Sequence, residues 1–88
     1  RPYLAADLVD LLVKMPISCL GIDASGIEKY RAESQPSHLK LFSAGIPIIE
    51  ELTNLGSIPP GRFTFIGLPL RIEGADASPI RAVALVEE

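Results

Sequence analysis

The stretch Pro36-Ser37-His38-Leu39-Lys40-Leu41-Phe42-Ser43-Ala44-Gly45-Ile46-Pro47-Ile48-Ile49-Glu50 decides how this chain is to be read. Pro36-Ser37 opens a short helix: proline suits a first helical position, and the Ser37 hydroxyl can cap the first free backbone N–H groups. Leu39, Leu41 and Phe42 supply apolar contacts until Gly45 closes the helix. Ile46 to Glu50 then reads as a brief apolar strand that ends in two carboxylates, Glu50-Glu51. A helix-to-strand unit of this size can bring its two ends together, His38 in the first helical turn and Glu50 at the strand end.

Toward the N-terminus, Leu4, Leu8, Leu11 and Leu12 recur at three- and four-residue steps, with Asp7, Asp10 and Lys14 between them, which predicts an amphipathic helix. Met15-Pro16 stops it, because proline pushes the residue before it out of the α region. Ile17 to Ile22 follows as a short buried strand closed by the turn residues Asp23-Ala24-Ser25-Gly26. Residues 24 to 36 carry Glu28, Lys29, Arg31, Glu33, Ser34 and Gln35 with no sustained apolar period and read as a long surface connection.

Toward the C-terminus, Leu52 to Gly61 is a turn-rich link containing Asn54, Gly56, Pro59 and Pro60. Phe63 to Leu68 forms a strand bounded by Pro69, Gly74 to Pro79 a tight loop, and Ile80 to Val86 a last strand before an acidic tail. Helix, strand, helix, strand, strand, strand predicts an α/β class, α+β being the variant, with a mostly buried mixed sheet and short helices.

At 88 residues the chain holds one small domain. Eight Lys and Arg against 11 Asp and Glu, with no basic block, argue against nucleic acid as a partner. A 48% hydrophobic and 22% charged composition is that of a chain that buries surface rather than a disordered one. Apolar runs stop within a few residues, as at Val83-Ala84-Leu85-Val86, so no membrane span and no secretion signal is expected. The single cysteine, Cys19, can make neither an internal disulfide nor a cysteine cluster and is expected as a buried core thiol.

His38 is the only histidine and so the first place to look for acid–base or metal chemistry. Alone it assigns nothing, since a lone helical histidine is ordinarily a surface or cap residue. Glu50, twelve positions later, shares the strand period of Ile46 and Ile48 and is the inward candidate, whereas its neighbour Glu51 points the other way. Two ligands are fewer than the three protein groups that zinc or manganese normally takes. Asp23 is either a turn former or an acceptor that orients His38. Ser78 lacks a second histidine to activate it as a nucleophile, and Arg81 can bind a carboxylate or pair with Asp76.

Five pieces in order resemble the cyclase family of metal-dependent hydrolases, which includes bacterial kynurenine formamidase and isatin hydrolase. They are Gly21-Ile22-Asp23, His38 with Glu50, Glu50-Glu51-Leu52-Thr53-Asn54-Leu55, Phe65-Ile66-Gly67-Leu68-Pro69-Leu70, and Gly74-Ala75-Asp76-Ala77-Ser78-Pro79-Ile80-Arg81-Ala82. The resemblance implies a swivelling β/β/α fold and a cytoplasmic amidohydrolase using zinc or manganese. Its implied reaction is attack of metal-activated water on a formamide, lactam or cyclic amide. His38 and Glu50 match the family's later metal-site pair, with His38 a ligand or proton shuttle and Glu50 a ligand or the acceptor of water's proton. Asp23, Ser78 and Arg81 are then substrate-binding or supporting candidates.

The family's earlier motif, His-x-Gly-Thr-His-x-Asp, has no counterpart here, and the chain begins at Arg1. Residues 1–88 therefore read as the C-terminal part of one hydrolase domain, expected to be inactive without its N-terminal half. That half is expected from the same gene product, a companion chain or a homo-oligomer mate. The alternative is an interaction or structural module that has lost the first metal motif; either way the apolar surface left uncovered implies association.

Overall fold

Leu8, Leu12 and their neighbours form the expected first helix, α1 (Ala6–Lys14), in a computed structural model that describes residues 2–87. Asp7 in its first turn and Lys14 in its last complement the helix dipole. Met15 leaves the helix in an extended conformation, as a residue before proline must. The second helix, α2 (Pro36–Ser43), has Pro36 in its first turn. It ends as Gly45 predicts: Gly45 takes φ +76°, its N–H donates to the Phe42 carbonyl at 2.9 Å, and the Ile46 N–H donates to the Leu41 carbonyl at 3.0 Å. That is a Schellman closure, and its characteristic apolar contact is here part of the core, since both Leu41 and Ile46 are buried.

Two short strands, β1 (Leu20–Gly21) and β2 (Ile48–Ile49), pair in parallel with Leu20 opposite Ile48 and Gly21 opposite Ile49. The pairing continues past the strand ends: Leu20 N–H donates to Pro47, Ile22 N–H to Ile49 and Leu52 N–H to Ile22. With α2 lying between them in sequence, β1 and β2 are the two strands of a βαβ connection. The strands are shorter than the apolar runs that contain them. Residues 17–19 and 46 lie outside the pairing, and no strand residue is fully buried, so the expected mostly buried sheet is not formed among the described residues.

The chain divides into two compact units, one running through Thr53 and one starting at Asn54. The first holds the core: Val9, Ile27, Leu41 and Ile46, with Leu4, Leu12, Ile17, Leu20 and Ile48 packed against them. Each buried aliphatic side chain contributes about 1.5–3 kcal/mol. Helices α1 and α2 pack together, and Lys40 Nζ donates to the Asp10 carboxylate at their exposed flank.

Ile27 corrects the reading of residues 24 to 36 as a surface connection: Gly26, Ile27 and Glu28 are buried, and the Ile27 carbonyl accepts from the Leu4 N–H. Cys19 is corrected in the opposite sense. It is exposed, because the ladder begins only at Leu20, and partial burial pushes its thiol pKa up, which lowers its reactivity as a thiolate.

The second unit is an antiparallel pair, β3 (Thr64–Pro69) and β4 (Ile80–Leu85), in register from Thr64 opposite Leu85 to Pro69 opposite Ile80. One 3-10 turn, Leu55–Ser57, interrupts what the sequence presents as a plain link, following Asn54 in a left-handed conformation. No described residue of this unit is fully buried.

Candidate active site

Helix α2 and the end of β2 place His38 and Glu50 side by side. The His38 Nε2 atom lies 2.7 Å from Glu50 Oε1. The helix delivers the imidazole from its first turn, and the parallel pairing of β2 with β1 brings the strand end to the same place. Glu51 turns away from it: exposed and at φ +59°, it donates its N–H to the Ala24 carbonyl.

A third group joins them, from the segment whose sequence suggests a surface connection. Glu28 Oε2 lies 2.8 Å from the other ring nitrogen, Nδ1 of His38. The same oxygen accepts the backbone N–H of His38 at 2.8 Å, and Oε1 accepts that of Ser37 at 3.3 Å. The carboxylate of Glu28 thus caps α2, a task the sequence suggests for the Ser37 hydroxyl; Ser37 lies two residues past the N-cap position, Gln35, which makes no side-chain cap bond. Nothing in local periodicity announces Glu28, because its partners stand nine and ten residues away. The available signal was a helix beginning with Pro36 and without Ser, Thr, Asp or Asn at its N-cap, which leaves amides for a distant acceptor.

Burial by itself raises the pKa of Glu28, but the bonds from the His38 amide, the imidazole and the Ser37 amide outweigh it and hold the carboxyl below its ordinary range. Burial likewise lowers that of His38, and its bonds to Glu28 and Glu50 outweigh it, so the imidazole is held above its ordinary value. Phe42, one turn along α2, sets its ring 5.9 Å from the imidazole, tilted by 59°.

His38, Glu28 and Glu50 open on a cleft of about 200 Å³, whose wall includes Ser25, Lys29 and Arg31. The cationic groups come from the same 24–36 segment that carries Glu28.

Of the remaining candidates, Asp23 belongs to the first unit and Ser78 and Arg81 to the second. Asp23 is exposed, and the imidazole takes its bonds from Glu28 and Glu50 instead. Ser78 serves its own loop in the second unit, its hydroxyl accepting from the Leu70 N–H at 2.8 Å and donating to the Pro79 carbonyl at 2.7 Å. Arg81 is an exposed residue of β4 opposite Leu68. Among the described residues no helix is long and apolar enough to cross a membrane.

No protein-family model matches the chain. It is 39% identical over 79 residues to the kynurenine formamidase of Sphingopyxis alaskensis, covering 90% of this chain and 37% of that protein. To the kynurenine formamidase of Salinibacter ruber it is 39% identical over 77 residues, covering 88% of this chain and 36% of the relative. The chain therefore spans little more than a third of the length of these relatives. A solved structure of a potential metal-dependent hydrolase with cyclase activity superposes with a TM-score of 0.84 at 41% identity, over 98% of this chain and 42% of the other. A predicted metal-dependent hydrolase from Bacillus stearothermophilus gives a TM-score of 0.81, again at 41% identity, over 93% of this chain and 39% of its own.

Proposed function

We propose, from the premise that this chain is the sequence and structural counterpart of part of a cyclase-family metal-dependent hydrolase, that it supplies the histidine–glutamate portion of an amide-hydrolysing active site. The observation that carries the reading is the convergence of His38 Nε2 and Glu50 Oε1, 2.7 Å apart, on one cleft. An imidazole nitrogen beside a carboxylate oxygen is a donor pair suited to zinc or manganese. It is also only a pair, and among the described residues no group of three or more His, Cys, Asp or Glu side chains could hold a metal ion. The other donors are assigned to polypeptide outside these 88 residues.

In the complete site His38 and Glu50 would hold the ion. Such an ion supplies Lewis acidity toward an amide carbonyl and makes water a nucleophile at neutral pH. Glu50 is the more exposed of the two carboxylates on the imidazole, with a third of its side chain accessible, and accepts the proton that water gives up. Glu50 then gives that proton to the leaving nitrogen, while His38, with Nε2 committed to the ion and Nδ1 to Glu28, carries none. The substrate class is a formamide, a lactam or a cyclic amide, and the kynurenine formamidase relatives favour an aryl formamide among these.

The test is steady-state hydrolysis of an N-aryl formamide by the enzyme that contains this chain, loaded with zinc or manganese. Replacing Glu50 by Gln lowers kcat by about 10²- to 10⁴-fold if it handles the proton, and His38→Ala lowers it at least as far. Unchanged turnover in both variants contradicts the assignment and favours an interaction module.

A further inference from the structure

We infer that Glu28 is a positioning residue: it holds neutral His38 as the Nδ1–H tautomer, so that the unprotonated Nε2 faces Glu50 and the cleft. The inference deepens the reading above and rests on it for its functional meaning, but not for its physical basis.

A neutral imidazole has one N–H and one bare nitrogen, and His38 has a carboxylate at each. Whichever nitrogen is bare faces an oxygen it cannot bond, so the tautomer is decided by which carboxylate can better do without the proton. Glu28 has 9% of its side chain accessible and Glu50 33%. Glu28 is also anchored, since its oxygens accept the amides of Ser37 and His38 and cannot swing away without uncapping α2. Glu50 stands past the end of β2 and can turn to water. A buried acceptor facing a lone pair costs more than a solvated one. The proton therefore stays on Nδ1, shared with Glu28 Oε2.

Two consequences follow for the site. The backbone amide and the ring N–H of His38 both donate to Glu28 Oε2, which ties the ring's orientation to the first turn of α2. The free nitrogen is then Nε2, which points to the place where the chain's other donor stands. A carboxylate behind a ligating histidine does this in metal sites generally, fixing the tautomer and the ring plane.

The test is long-range ¹H–¹⁵N correlation NMR of the 88-residue chain, at a pH where the same spectra show His38 to be neutral and with no metal or substrate added. The expected result is a protonated Nδ1 and a bare Nε2, kept in Glu50→Ala. In Glu28→Gln the protonated Nδ1 signal loses intensity to an Nε2–H form bonded to Glu50. Leu41→Ala is the structural control: it loosens α2 and lowers the melting temperature but leaves the tautomer as it was. A protonated Nε2 in the unmodified chain, or a tautomer indifferent to Glu28→Gln in a folded variant, overturns the inference. Neither result depends on hydrolysis, so a chain with the expected tautomer but no role in catalysis refutes the proposed function alone.

Discussion

The two units of this chain are built on different principles. The first, through Thr53, holds every fully buried residue of the described chain and closes two helices, a parallel strand pair and a buried loop around Val9, Ile27, Leu41 and Ile46. The second, from Asn54, has the longer and more regular ladder, six residue pairs in register, yet leaves Leu68, Leu70 and Leu85 more than half exposed. Backbone pairing alone makes a hairpin's shape; it does not make a core, and a two-stranded hairpin is marginal in water for that reason. The candidate site lies wholly in the unit with the core, where a buried carboxylate can be held in place by packed neighbours.

The sharpest way to break this contrast is to remove one leucine from each unit. Leu41 is fully buried, and Leu41→Ala is expected to destabilise the chain by about 2–5 kcal/mol in urea denaturation. Leu68, 62% exposed, is expected to cost no more than about 0.5 kcal/mol on the same substitution. Equal losses at the two positions contradict the contrast.

Next in size is the dependence on pH. The Glu28 carboxyl is held low, so the stability it adds is present above the pKa of an unfolded glutamate and is lost as pH falls through the lower folded value. His38 is held high, so its contribution is present below the pKa of an unfolded histidine and is lost as pH rises through the raised folded value. Stability therefore peaks between the carboxylate range and neutrality and declines on both sides. Urea titrations of His38→Ala should lack the decline above neutrality; a decline that persists there assigns it to another group.

These three carboxylate and imidazole residues also mark the boundary of what the sequence could disclose. His38 and Glu50 were legible because each sits at a recognisable place, the first turn of a helix opened by proline and the end of an apolar strand. Their meeting followed from the connection between them. Glu28 was not legible, since its contacts depend on how residues 26–28 fold under Leu4 and onto the start of α2, and no local period encodes that. Cys19 departs from expectation for a related reason: an apolar run from Ile17 to Ile22 looks like a buried strand, but pairing with the neighbouring strand begins only at Leu20. Both helices and both long strands emerged where periodicity and punctuation put them, because helical spacing, Met15-Pro16, Gly45 and Pro69 act locally. Burial does not, and the apolar hairpin shows it.

A smaller effect sharpens the local side of the account. Gly45 closes α2 at φ +76° with open space around the position a Cβ would take. Gly45→Ala is therefore a test of backbone strain without a clash, expected to cost about 1 kcal/mol in the same urea titration. A loss several times larger means that the turn carries more of the first unit than its hydrogen bonds account for.

The central claim is that His38 Nε2 and Glu50 hold a divalent ion together, and it is tested most directly by anomalous diffraction. Crystals of the enzyme containing this chain, grown with zinc or with manganese, are expected to show one anomalous peak about 2.0–2.2 Å from both His38 Nε2 and a Glu50 oxygen. Glu28 is expected to remain on Nδ1, off the metal. A peak that touches neither side chain, or that coordinates Nδ1 in place of Glu28, contradicts the account.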